Sequence, residues 1–199
     1  TYTWNLNSSF TGDDNLYVRI KSGNHTGYSV AKGEQNTYLS AGNGNADKLK
    51  VYKIWYSTPI GDHHTVWIGP KIENYYMHGT TPSIYKPVLK AFTLGGNAAA
   101  YGASTSPGAG WAYNADNGFA VSSNVVSGNN GLLTNEQVIS WATQVGFTKP
   151  QYSASLMVNQ KYNGWEDGYY STTKGHYRLI DGSTSTQQSA NSTNYGLRA

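Results

Sequence analysis

Cysteine is absent from the 199 residues, which removes disulfides, thiolate metal sites and cysteine nucleophiles at once. Export remains open, because a chain of this size can bury a core without covalent staples. Charge is also scarce. Charged residues make up 13%, against about a quarter in an ordinary globular domain, and 14 basic and 11 acidic side chains give +3 with no block of one sign. The densest basic group, Lys48, Lys50 and Lys53, reads as one face of a solvated strand rather than a phosphate-tracking stripe, so no nucleic-acid partner is expected. No run of about 18 apolar residues occurs, which excludes a membrane-spanning helix, and no membrane insertion is expected. A signal peptide is missing too, although a chain starting at Thr1 without methionine reads as processed or trimmed. Sequons at Asn7, Asn24 and Asn191 are what chance supplies in a chain rich in Asn, Ser and Thr.

What the chain has in quantity is 17 Tyr, 6 Trp and 23 Gly, the mixture of an exported, β-rich protein kept soluble by hydroxyls and amides. Short alternating or apolar runs separated by Gly, Asn, Asp and Pro predict strands over 16–20, 49–56, 65–68, 84–94, 119–126 and 154–158, with a hairpin over 169–180. Pro87 makes its run an edge strand or one that begins after the proline. One segment has a different period: Thr134 stands at an N-cap with Gln137 three positions on, and Val138, Ile139, Ala142 and Val145 then recur at helical spacing, predicting a helix over 135–145. Beyond Asp181 the chain is polar and almost without bulk; unless a sheet captures it, it is a linker or frayed tail. The expected fold is therefore all-β, an immunoglobulin-like or jelly-roll β-sandwich with one short helix. Its expected organisation is a domain over 1–181 and a polar C-terminal segment over 182–199.

Catalytic constellations are hard to assemble. The stretch Gly102 to Ser106 lacks the second glycine of a nucleophile elbow. His63 and His64, with His78, suggest zinc, but adjacent strand residues point to opposite faces. Glu73 and Glu166, or Glu166 and Asp167, could form a glycosidase pair whose separation the sequence does not give. Asn43, Asn45 and Asp47 have calcium-loop spacing without the closing bidentate Glu. No cofactor and no metal are expected.

The most suggestive stretch runs from Trp111 to Phe119, with Tyr113, Asn114, Asp116, Asn117 and Gly118 between them. Aromatic rings stack on the apolar face of a pyranose, and carboxylates and amides satisfy its hydroxyls. Asp-Asn-Gly is equally an ordinary turn tripeptide. Taken in order, the segments 45–54 and 89–97, then Gly110 with Trp111, and Asn117 with Gly118 ahead of an alternating strand, resemble the binding loops of N-acetylglucosamine-recognising lectin domains of chaperone–usher fimbrial tip adhesins. The similarity covers about a third of the chain in short pieces.

That resemblance implies a shallow monosaccharide site formed by Ala46, Asp47, Asn97, Trp111, Asp116, Asn117 and Gly118. Trp111 would be its wall, the carboxylates and amides would meet hydroxyls, and Gly118 would permit close approach. The family's acidic residue has no clean counterpart at Asn97, and its usual disulfide is absent. The implied function is adhesion to host-cell glycans at a fimbrial tip on the bacterial surface. The implied partners are fimbrial subunits and a periplasmic chaperone, reached through a pilin domain outside this chain, with the isolated domain monomeric and not an enzyme. Three other classes stay open: a phage-type receptor-binding tip, a jelly-roll polysaccharide-degrading enzyme, and a structural surface protein.

Overall fold

The computed structural model describes residues 1–25, 42–83, 88–102, 105–128, 138–162 and 191–199. Nine strands run in chain order: β1 Tyr2–Ser8, β2 Asn15–Ser22, β3 Lys50–Ile60, β4 His64–Ile72, β5 Ser106–Asn114, β6 Phe119–Ser127, β7 Ile139–Lys149, β8 Tyr152–Tyr162 and β9 Ser192–Arg198. Each pairs antiparallel with the next, so the described strands form one sheet in the order β1 to β9. The fold is all-β with one short helix, α1 Ala98–Tyr101. Among the described residues the strands make one continuous antiparallel sheet.

The two ends of the sheet differ. The connections 9–14, 61–63, 115–118 and 150–151 close one end, while 23–49, 73–105, 128–138 and 163–191 all leave from the other. Tight closure at the first end relies on glycine. At Gly118, φ is 94°, and a side chain there would strike the carbonyl of Thr148, whose own amide bonds the Gly118 carbonyl at 2.9 Å. Glycine adopts that left-handed backbone without penalty.

Period-two alternation organises the packing. One face is covered by the β4–β5 connection. Its 3₁₀ turn Asn74–Met77 lies on β4 to β7, and α1 lies on β8 and β9. Two apolar clusters sit in this layer. Tyr17, Trp55, Ile72, Met77 and Val126 form the first, and Ala100, Tyr101, Ala142 and Met157 the second. Trp67, Tyr76 and Val138 pack against the first, Tyr75 and Leu94 against the second. Gly110 lets the layer come close, since a Cβ there would lie 2.6 Å from the Asn124 Cβ and 2.8 Å from the Met77 sulfur.

Four expected strands lie within β2, β4, β6 and β8, and the one over 49–56 falls in β3 except for Leu49. The expected helix over 135–145 is corrected. Residues 134–137 fall outside the described residues, and from Ile139 the chain is β7. Its Trp141, Thr143 and Val145 are exposed and Ser140, Ala142, Gln144 and Gly146 buried in strict alternation, so β-branched and aromatic residues at period two outweigh the few positions that also fit a helix. In the expected strand over 84–94, residues 84–87 are outside the described set and Lys90–Gly96 is 3₁₀, bent by left-handed backbone at Leu94, Gly95 and Gly96. The hairpin over 169–180 lies outside the described residues. The polar tail is captured by the sheet, Ser192–Arg198 pairing with β8 from Lys161 to Ser155. Strands β1 and β5 are additional to the sequence reading.

Candidate functional site

The seven residues expected to form a sugar site are spread over the sheet. Ala46 and Asp47, both with left-handed backbone (φ 55° and 56°), lie in the β2–β3 connection at the long-connection end. Asn45 braces that turn, accepting from the Gly23 amide at 2.9 Å and donating to the carbonyls of Lys21 and Lys48. Asn97 is the N-cap of α1, its Oδ1 accepting from the Ala100 amide at 3.2 Å and its Nδ2 donating to the Tyr195 carbonyl at 2.9 Å. It is a structural cap.

Trp111, Asp116, Asn117 and Gly118 do share the short-turn end. Asp116 is almost wholly exposed, with His63 Nδ1 3.8 Å away, and Asn117 Oδ1 accepts from the Phe119 amide at 3.0 Å. Asp116 to Gly118 thus form the ordinary turn that was the alternative reading. Gly118 permits the hairpin's close contact with Thr148. Trp111 is on the uncovered face of β5, its indole donating to His64 Nδ1 at 3.0 Å and stacking on that ring at 5.7 Å. Strands of nine residues such as β5 span roughly 30 Å, so the structure does not gather Ala46 and Asp47 with the Trp111 group. The imagined histidine cluster is dispersed as well: His63 is in the β3–β4 turn, His64 is on the uncovered face, and His78 is buried.

What the structure does bring together is a polar layer beneath the covering segment. Lys53 and Glu73, both buried, form an ion pair. The Lys53 ammonium also donates to the Tyr75 hydroxyl at 2.8 Å, and Thr105 donates to the other Glu73 oxygen at 3.0 Å. Asn74 donates to Asn124 Oδ1 at 2.8 Å and to the Ser140 carbonyl at 3.1 Å. Ser140 bonds Asn159 at 2.9 Å, and Asn159 donates to the Ala100 carbonyl at 2.9 Å. Gln144 pairs twice with the Thr80 backbone, at 2.9 and 3.0 Å.

His78 completes the layer. Its Nε2 faces the Tyr101 carbonyl at 3.2 Å and its Nδ1 faces Asn124 Nδ2 at 3.2 Å, which fits a neutral ring donating from Nε2 and accepting at Nδ1. Burial pulls its pKa down to about 4, against a weaker opposing push from the Tyr101 carbonyl. Burial likewise raises Tyr76 to about 12 and Tyr75 well above the usual phenol range. At the short-turn end, the Ser9 hydroxyl, with help from Thr11 and Tyr56, holds Asp14 far below the usual carboxylate range despite its burial.

The opposite face reverses this chemistry. Many direct cross-strand partners there are apolar: Trp4 with Ile20, Leu6 with Val18, Val18 with Ile54, Tyr56 with Ile68, Val66 with Trp111, Val125 with Trp141 and Val121 with Val145, and Leu156 with Leu197; Ser123 with Thr143 and Gln160 with Thr193 are polar pairs on the same face. Leu156 is 52% and Val145 45% exposed in mid-strand, and Trp141 is 48% exposed near the start of β7. A water-soluble sheet buries that face and exposes its polar one. Here Trp141, Val145 and Leu156 face outward, and Ser122, Asn124, Ser140, Gln144 and Asn159 are buried alongside the two apolar clusters. The sequence signal for the polar layer was present as Ser122, Asn124, Ser140, Gln144, Ser155 and Asn159 at alternating positions of β6 to β8, but alternation by itself does not say which face is covered.

Comparison with protein-family models, curated proteins and solved structures finds no match to this chain.

Proposed function

We propose that this sheet is wall of a membrane-spanning β-barrel of the outer-membrane type, with the uncovered face toward lipid and the covered face toward a polar interior that passes small hydrophilic solutes. The observation that carries the reading is the inverted polarity of the two faces. An apolar belt across mid-strand positions and a polar opposite face is the arrangement lipid selects and water does not.

Other features agree with it. Strands β3 to β8 have nine to eleven residues, the length at which a tilted strand crosses the hydrocarbon core. Every strand pairs with its sequence neighbour, and all tight turns fall at one end with all long connections at the other, as in up-and-down membrane barrels. Seven uncovered-face aromatics lie toward the two ends, while Trp111 and Tyr195 share the level of Val158. Tyr113, Phe119, Phe147 and Tyr152 lie near the tight turns and Tyr2, Trp4 and Tyr162 near the long connections, matching the aromatic girdles of membrane interfaces. Leu6, Val18, Ile68, Val145, Leu156 and Val158 occupy the middle. The expectation of no membrane insertion rested on the length a helix needs; a strand wall needs only alternation. Lipid tolerates no open sheet edge, so the reading requires that β1 and β9, the two edges of the described sheet, be paired in the assembled wall.

The fimbrial lectin reading needs its seven residues in one shallow site, and the sheet distributes them over both ends. A shallow depression does lie between Trp111 and Trp141. However, its Ser123 hydroxyl already accepts from the Trp141 indole at 2.9 Å, and the remainder of its lining is mostly apolar.

The test is reconstitution of the full chain into liposomes. Protein that resists an alkaline carbonate wash and lets small sugars equilibrate, read as vesicle swelling, supports the proposal. A chain that folds as a monomer in water and leaves vesicles sealed overturns it.

A further inference from the structure

The hydrogen bonds that hold the covering segment to β6 and β7 run in one direction, and His78 stands at their end. Asn74 Nδ2 donates to the Ser140 carbonyl at 3.1 Å and to Asn124 Oδ1 at 2.8 Å. A backbone carbonyl only accepts, so Asn74 is fixed with its nitrogen toward Ser140 and Asn124. That in turn fixes Asn124, whose Nδ2 points to the Met77 carbonyl at 3.4 Å and to His78 Nδ1 at 3.2 Å. Turning the Asn124 carboxamide over sets nitrogen against the Asn74 nitrogen and oxygen against the Met77 carbonyl.

The seated His78 ring therefore has a place for one proton. Nε2 carries it toward the Tyr101 carbonyl at 3.2 Å, and a second proton, on Nδ1, meets an Asn124 N–H that has nowhere to turn. The groups facing the ring are the Tyr101 carbonyl and phenol ring on α1, the latter edge-on at 6.0 Å, and the Asn124 carboxamide on β6. No carboxylate or second cation lies near enough to shift it, and burial lowers its pKa to about 4, against about 6.5 for a ring in water. Protons thus favour the released ring below pH 6.5, and the seated-to-released ratio falls on the order of 100-fold by pH 4.

Connectivity sets what leaves with the ring. His78 directly follows the 3₁₀ turn Asn74–Met77, which lies flat on β4 to β7. Two residues further on, the Thr80 amide and carbonyl are held by Gln144 at 2.9 and 3.0 Å.

We infer that the stretch from Asn74 to Thr80 is an acid-released flap: a second proton on His78 frees it from β6 and β7 while the strands stay paired. Lying flat it takes the least of the interior, and once freed it has the interior to enter, so conductance falls. The closure rests on the barrel-wall reading above; the release rests on the bonds themselves.

The experiment is amide hydrogen exchange of the full chain in liposomes at pH 6.5 and pH 4, with single-channel conductance measured at the same two values. The expected result is a protection factor over residues 74–80 that drops on the order of 100-fold at pH 4, with β7 still protected and conductance reduced. His78→Asn should hold both readings level, and His78→Gln serves if the first variant does not fold. Protection kept at pH 4, lost equally in the variants, or lost together with β7 overturns the flap. Release with undiminished conductance overturns the closure. Inserted protein without conductance at pH 6.5 overturns the wall reading, while the exchange result still decides the release.

Discussion

Strand β7 has two faces with opposite chemistry. Ser140, Ala142 and Gln144 are buried under the folded-back connection, and Trp141, Thr143 and Val145 are exposed on the other side. In a water-soluble sheet the second set would be the core. The contrast teaches that the chain fixes its covered layer with polar bonds and leaves apolar area on the other face, which the proposed reading assigns to lipid. The two faces should therefore answer differently to the same kind of substitution.

The largest effect is expected on the covered face. Lys53→Met strands Glu73 as a buried charge and should cost about 3–5 kcal/mol in equilibrium unfolding. Adding Glu73→Gln should recover much of the loss, because the cost lies in the uncompensated ion.

On the open face, Leu156→Arg breaks the comparison most directly. At the midplane of a bilayer it should cost about 2–4 kcal/mol, whereas at an exposed position in water the change stays within about 0.5 kcal/mol. Folding titrations in lipid vesicles read the difference, and a neutral Leu156→Arg would show that this face meets water.

Acid sharpens the account of the interior. The His78 ring is held neutral, with a pKa near 4, while the unfolded chain protonates it near the ordinary 6.5. Between those values the unfolded state binds more protons than the native one. Stability present above pH 6.5 is therefore lost as pH falls toward 4, by up to about 3 kcal/mol, with no further loss from this group below that. Replacing His78 with Asn should flatten that segment of the stability–pH curve; an unchanged slope would contradict the buried, neutral ring.

A smaller contrast comes from Asn124 and Thr143 on opposite faces of neighbouring strands. Asn124→Leu removes partners from Asn74 and His78 and should cost about 1–3 kcal/mol. Thr143→Leu, facing outward, should change stability by no more than about 0.5 kcal/mol.

Much of this sheet was legible in the sequence because alternation marks strands whichever face is covered. Runs around Val18, Ile54, Val66, Val121 and Leu156 therefore locate β2, β3, β4, β6 and β8. Alternation is silent about which set points inward, and the structure buries the set that includes Tyr17, Trp55 and Val126. Ala142 and Val145 fit both a helix and a strand, and only the cross-strand pairing of β7 on both sides decides between them. Strand β5 was hidden by Gly108 and Gly110, residues weak in strands but needed here for close packing. The polar tail gains strand structure only through β8. As for the site, the Trp111 stretch holds a true turn at Asp116 to Gly118 and an aromatic on a strand, two local features that composition alone does not separate from a sugar loop.

The absence of cysteine permits a clean test of the central claim. Single cysteines at successive positions of β8, from 153 to 159, can each carry a nitroxide label in the lipid-reconstituted chain, with collision rates measured for oxygen and for a water-soluble nickel chelate. The account predicts that labels at 154, 156 and 158 collide with oxygen and are shielded from the chelate, while 153, 155, 157 and 159 lack that lipid signature. Free access of the chelate to 154, 156 and 158 in the folded protein would contradict it.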